Sequence, residues 1–77
     1  MDDLLAYLAR ALVDHPEQVA VHSYDESDGA LVLELTVAED DVGKVIGRNG
    51  RTINALRTVV RASAVKLGRR VLIDVVE

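Results

Sequence analysis

Gly47 and Gly50 bracket the pair Arg48-Asn49 within the stretch Val42-Gly43-Lys44-Val45-Ile46-Gly47-Arg48-Asn49-Gly50-Arg51-Thr52-Ile53. Glycine reaches positive φ freely and lets another backbone come close. A glycine-bracketed turn ahead of a helix also leaves unpaired N–H groups at the positive end of that helix's dipole. Lys44, Arg48 and Arg51 surround this turn with cationic charge. The guest that suits such a combination is an anionic backbone, a phosphodiester above all.

Other phosphate loops fit worse. A Walker loop needs Gly, four residues, then Gly-Lys-Ser/Thr after a strand. Gly50-Arg51-Thr52 imitates its end, but Val45 stands where the earlier glycine belongs. The dinucleotide fingerprint G-x-G-x-x-G is absent, so nucleotide hydrolysis is not expected. His15 and His22 are the only histidines and the chain has no Cys, so no ligand set for a metal is spaced along it. Neither histidine pairs with a Ser or Lys at a defensible spacing. No catalytic residue, metal or cofactor is therefore expected, and the chain does not read as an enzyme.

The elements that must hold this turn are few, because 77 residues allow one domain, taken as residues 1–77. A chain this short buries only roughly 60% of the surface its unfolded state exposes, so a partner subunit would matter. Phe and Trp are absent and the core must be built from aliphatic side chains. No apolar run approaches the ~18 residues of a membrane helix, and acids replace the basic start of a secretory signal, which makes a soluble, cytoplasmic protein the expectation. The net charge of −4 conceals a dipole: residues 1–41 hold eleven acids and one base, residues 42–77 eight bases and two acids. With a screening length near ~8 Å, a polyanion feels the local patch more than the distant total.

Asp2 or Asp3 is expected to cap a first helix with Leu4, Leu5, Leu8 and Leu12 on its apolar stripe. Pro16 ends it. Val19 and Val21 alternate with polar residues as a strand, Asp25-Glu26-Ser27-Asp28-Gly29 turns, and Leu31, Leu33, Leu35 and Val37 form a second, antiparallel strand. A short helix capped by Asp40 runs to about Ile46. A longer one starts near Arg51, with Ile53, Leu56, Val60, Ala64 and Leu67 inward, and Gly68 closes it. Val71, Ile73 and Val75 make a last strand, parallel to the second. The fold class is α+β, order α-β-β-α-α-β, a three-stranded mixed sheet with three helices on one face.

Val45-Ile46-Gly47-Arg48-Asn49-Gly50-Arg51-Thr52-Ile53 resembles the V-I-G-x-x-G-x-x-I signature of KH domains, and the element order resembles the type II, bacterial form of that fold. Length and charge pattern are similar to the small single-KH proteins of the KhpA (YlqC) family. The resemblance covers essentially the whole chain. It implies a type II KH domain that binds single-stranded RNA without catalysis, the G-x-x-G loop clamping the backbone of about four nucleotides. Carried over by position, Lys44, Gly47, Arg48, Asn49, Gly50 and Arg51 would contact RNA. Ile46 and Ile53 would serve groove wall and core together. Arg57 and Arg61, on one flank of the long helix, would extend the RNA track, while Arg69 and Arg70 read as surface residues.

A strip of small residues, Ala55, Val59 and Ala62, falls away from the buried stripe of the long helix. It suits close packing against a second copy, and the resemblance also implies a homodimer. Exchange with a larger KhpB (Jag-type) KH partner is implied too, as are RNA chaperoning, post-transcriptional regulation and a link to cell-envelope and cell-length control. The rival reading is a protein-interaction adaptor with vestigial RNA contact. A single-stranded DNA binder is a lesser one.

Overall fold

Leu31–Thr36, with leucines at alternate positions, forms the central strand of the sheet and organises what packs around it. The computed structural model describes residues 1–76. Helix α1 spans Asp2–Leu12, strand β1 Ala20–Asp25, strand β2 Leu31–Thr36, helix α2 Val42–Ile46, helix α3 Arg51–Ala64 and strand β3 Val71–Val76. The sheet order is β1-β2-β3, with β1 antiparallel and β3 parallel to β2. The α+β class, the order of elements and the mixed sheet are those expected from the periodicities.

One face of the sheet carries the core. Leu33, Leu35, Val71 and Ile73 meet Leu5 and Ala9 of α1, Val45 of α2, and Ile53, Leu56, Val60 and Ala64 of α3. The opposite face carries the cross-strand rows His22–Glu34–Asp74 and Tyr24–Val32–Leu72. Val32 is nonetheless buried, because the register sets it between two large neighbours.

Four expectations are corrected. Neither Asp2 nor Asp3 caps α1: the helix already includes both, Met1 holds the cap position, and the Asp2 carboxylate accepts a bond from Ser23 Oγ at 2.9 Å instead. The buried face of α1 centres on Leu5, Ala6 and Ala9, while Leu4 and Leu8 are half-buried and Leu12 is exposed. The small alanines let the helix lie close to the sheet. Asp40 is exposed, and Asp41 holds the cap position of α2 after a tight turn over Glu39–Asp41. Leu67 is 56% exposed, because the chain tightens to a 3-10 turn at Val65–Leu67 and carries it off the α-helical stripe. Gly68 ends that turn in the left-handed conformation, as expected.

Candidate nucleic-acid interface

Helix α2 is only five residues long, too short to persist by itself, and tertiary contacts must set its direction. Val45, fully buried, anchors it in the core. Its end is made by Gly47 at φ 75, ψ 174, a conformation essentially confined to glycine. A Cβ at Gly47 would lie 2.2 Å from Thr52 Oγ1 and 2.9 Å from the Thr52 backbone nitrogen. The first turn of α3 therefore sits directly against the Gly47 backbone. Asn49 (φ 57) and Gly50 (φ 76) are both left-handed, and a Cβ on Gly50 would meet nothing nearer than 3.9 Å. The two glycines thus do different work: Gly47 gives conformation and closeness, Gly50 gives conformation alone.

The loop's hydrogen bonds leave donors free. Gly47 N–H donates to Gly43 O at 2.9 Å and Gly50 N–H to Gly47 O at 3.2 Å. The N–H groups of Arg48 and Asn49 have no backbone partner among the described residues. Both residues are exposed, as is Arg51 at the start of α3. Among the described residues neither Arg48 nor Arg51 is in an ion pair. Free amides, a helix start and two uncompensated guanidinium groups make an anion-attracting knuckle.

Lys44 differs. Its ammonium pairs with the Asp14 carboxylate and lies 3.5 Å from Asp41 Oδ1. Its pKa is held above the ordinary lysine value, chiefly by the hydrogen bond to Asp14 against a smaller burial penalty. Arg69 and Arg70 pair with Asp25 and Asp28, and Arg69 Nε donates to Gly29 O at 3.1 Å, so both tie the β1–β2 turn to the start of β3.

Arg57 and Arg61 meet the edge of the sheet. Bonds from Leu31 N–H to Arg70 O and from Val37 N–H to Val76 O turn the even-numbered carbonyls of β3 toward β2. In a parallel ladder the odd-numbered ones then face outward. Arg61 Nε donates to Val71 O at 3.2 Å, and Arg57 donates to Ile73 O at 3.2 Å and to Asn54 Oδ1 at 3.1 Å. Sequence reasoning saw that these arginines share a flank. That they cover the open edge of β3 was not visible, since it needs the strand's hydrogen-bonding phase. Ile46 is half-buried beside the loop, whereas Ile53 is 4% exposed and belongs to the core.

On the other side of α3 the expected small-residue strip is exposed: Ala55, Val59 (45%) and Ala62. Ala55 and Val59 line an apolar groove with Thr52 and Leu56, closed on the α1 side by Leu8, Ala11 and Leu12. The exposed Leu12 that was expected in the core is one wall of it.

Known proteins resemble this chain in sequence and in fold. "RNA-binding protein KhpA" of Halalkalibacterium halodurans is 49% identical over 77 residues, the whole of both chains. The protein of the same description from Treponema pallidum is 45% identical over 76 residues, covering 99% of this chain and 94% of its own. Among solved structures, Aquifex aeolicus Era superposes on 96% of this chain with a TM-score of 0.62 at 20% identity, using 28% of its own length, which speaks to the fold alone. The family model described as the KH domain of KhpA/KhpB matches residues 2–75, the span that carries all three helices and all but the last residue of the sheet. With the glycine loop built as described and full-length relatives well above 30% identity, the chain belongs to the KhpA/KhpB family of KH domains.

Proposed function

We propose that this chain binds single-stranded RNA, without catalysing a reaction, by closing the Gly47–Gly50 loop on the phosphate backbone. The observation that carries the reading is the locked turn at Gly47, which holds two free amides and the uncompensated Arg48 and Arg51 at the start of α3. The names of the full-length relatives support it. In this reading Arg48, Asn49 and Arg51 face phosphates, and the glycines let the RNA backbone approach. Bases lie between α2, α3 and the outer edge of β3, where Ile46, Arg57 and Arg61 line the path and Ile53 supports it from the core.

The groove between α1 and α3 supports a homodimer in the same reading. Val59 and Leu12 are exposed apolar residues there, and Ala55 and Ala62 permit close approach of a second helix. By family resemblance the reading extends to exchange with a larger KhpB (Jag-type) partner. It extends likewise to RNA chaperoning and post-transcriptional control in the cytoplasm, linked to the cell envelope and cell length.

Fluorescence anisotropy of a labelled mixed-sequence single-stranded RNA at several salt concentrations tests the central claim. Salt-sensitive binding by the wild type, lost in a folded Arg48→Asp/Asn49→Asp variant, is the expected result. Binding that survives the double variant would move the site away from the loop. No binding by the folded wild type at high micromolar concentration would favour the adaptor reading.

A further inference from the structure

Asp41 is the only charged residue that the core encloses among the described residues, fully buried at the start of α2. Its carboxylate makes no capping bond to its own helix. It reaches instead to the segment that follows α1, where Oδ1 accepts the Asp14 N–H at 3.1 Å and Oδ2 the His15 N–H at 2.9 Å. Oδ1 also lies 3.5 Å from Lys44 Nζ, and Lys44 in turn holds the Asp14 side chain. The contacts close a ring: Asp14 backbone, Asp41 carboxylate, Lys44 ammonium, Asp14 carboxylate.

The ring stands one helical turn before Gly47. Its members come from both ends of a 27-residue separation in sequence, so it fastens the exit of α1 to the helix that presents the loop. Val45 is fully buried and Val42 and Ile46 pack against the core, so the ring adds a polar tie to the apolar contacts that hold this five-residue helix. A buried carboxylate is costly unless it is hydrogen-bonded and paired, and here two amides and a nearby ammonium do both. Lys44 meanwhile faces two carboxylates and carries no net positive charge outward.

We propose that Asp41 and Lys44 are positioning residues for the RNA-binding loop: they orient α2, and Lys44, despite its place in the glycine motif, contributes no phosphate contact. This rests on the loop reading above and removes one residue from the contact set that the motif implies. The cations that meet RNA at the loop are then Arg48 and Arg51.

Salt titration separates the two roles, because each phosphate neutralised on a single strand adds about 0.7 to the slope of log K against log salt. The same labelled RNA would be titrated with the full chain as wild type, Arg48→Gln, Lys44→Met, Lys44→Arg and Asp41→Asn. Arg48→Gln should lower the slope by about 0.7. Lys44→Met and Asp41→Asn should leave the slope at its wild-type value while weakening binding several-fold. Lys44→Arg, which keeps both carboxylate partners, should restore the affinity. Amide hydrogen exchange gives an independent readout: Gly47 and Gly50 N–H should exchange faster in Lys44→Met, with the amides of Leu33 and Leu35 unchanged. Since Asp41→Asn can keep only one of the two amide bonds and can cost the fold, Asp14→Ala opens the same ring from its exposed side and should also speed loop exchange. A slope lowered by Lys44→Met as much as by Arg48→Gln would overturn the positioning role and make Lys44 a phosphate contact. Unchanged loop exchange in both Lys44→Met and Asp14→Ala would overturn it as well. If Arg48→Gln leaves slope and affinity untouched, the loop reading itself fails, and the positioning claim falls with it.

Discussion

Replacing either loop glycine by alanine exchanges one Hα for the same methyl, yet the two sites predict different losses. At Gly50 the backbone is left-handed and the nearest atom to a new Cβ is 3.9 Å away. Strain is the only cost there, about 1–2 kcal/mol for an L-residue in that region. A stiffer unfolded chain offsets about 0.5 kcal/mol of it, leaving a net loss of about 1 kcal/mol. At Gly47 the backbone lies in territory that side chains avoid, costing about 2 kcal/mol. The methyl also meets Thr52 at 2.2 Å (Oγ1), 2.7 Å (Cβ) and 2.9 Å (backbone N). Relieving such contacts shifts the start of α3 and adds about 2 kcal/mol. The net loss at Gly47 is about 3.5 kcal/mol after the same unfolded-state offset. For a domain of this size 1 kcal/mol moves Tm by about 6 °C, so Gly47→Ala should lose roughly 21 °C and Gly50→Ala roughly 6 °C. Thermal and urea unfolding followed by far-UV circular dichroism reads both. Thr52→Ala in the Gly47→Ala background removes the Oγ1 contact but leaves Cβ and the backbone nitrogen, so it should recover less than half of the loss. Equal Tm losses at the two glycines would refute the claim that close packing, and not conformation alone, locks the turn.

The remaining predictions concern edge, interface and acid limb. Arg57→Ala and Arg61→Ala should each lower stability by about 1 kcal/mol in urea titrations. They should also raise light scattering on storage, because each uncovers a carbonyl on the outer edge of β3. Val59→Asp should convert the proposed dimer to a folded monomer in sedimentation velocity and weaken RNA binding through lost avidity; a variant that stays dimeric would exclude the α1–α3 groove as the interface. Burial alone would raise the Asp41 carboxyl, but bonds from the Asp14 and His15 amides, with the charges of His15 and Lys44, outweigh it and hold its pKa below the usual carboxylate value. A carboxyl depressed on folding contributes stability that is complete above its unfolded pKa of about 3.9 and is lost as pH falls through the folded value. Asp41→Asn should therefore be less stable than wild type at neutral pH, and the gap should narrow below about pH 4.

Where a residue's environment follows from its own periodicity, the sequence was a sufficient guide. Leu33, Leu35, Ile53, Leu56 and Val60 lie inward because strand and helix periods leave them no other face. The glycine loop was legible because Gly47, Gly50 and the helix after them are contiguous. Leu12 and Leu67 went astray at helix ends, where the last turn unwinds or leaves the sheet, and periodicity no longer reports on burial. Asp41 was hidden for a different reason. Three acids in a row, Glu39-Asp40-Asp41, look alike as first-turn residues, and only the return of the chain at Asp14 and His15 distinguishes the last. The role of Arg57 and Arg61 depends on which carbonyls of a strand point outward, a phase set by pairing with β2 and not by any local pattern.

The fate of the basic residues explains how a chain of net charge −4 can suit a polyanion, and bounds how tightly. Of the eight bases after residue 41, Lys44, Arg69 and Arg70 are spent on carboxylates, Arg57 and Arg61 are engaged with β3 carbonyls, and Lys66 stands in the turn after α3. Arg48 and Arg51 are the two that stand at the loop without an ion-pair partner among the described residues. In the proposed reading these two phosphate contacts would give a salt slope of only about −1.4 for one copy. A single loop would then hold RNA weakly, with little electrostatic reserve to draw on. Pairing through α1 and α3, as proposed, would leave the β3 edge uncovered, since the groove opens on the opposite flank of α3 from Arg57 and Arg61. Two copies joined there can place two loops on one strand, which doubles the slope and raises avidity with no new contact to RNA. The acidic half of the chain is consistent with that economy: Asp14, Asp25, Asp28 and Asp41 neutralise the bases that structure needs. What remains positive is concentrated where Gly47 lets a backbone approach.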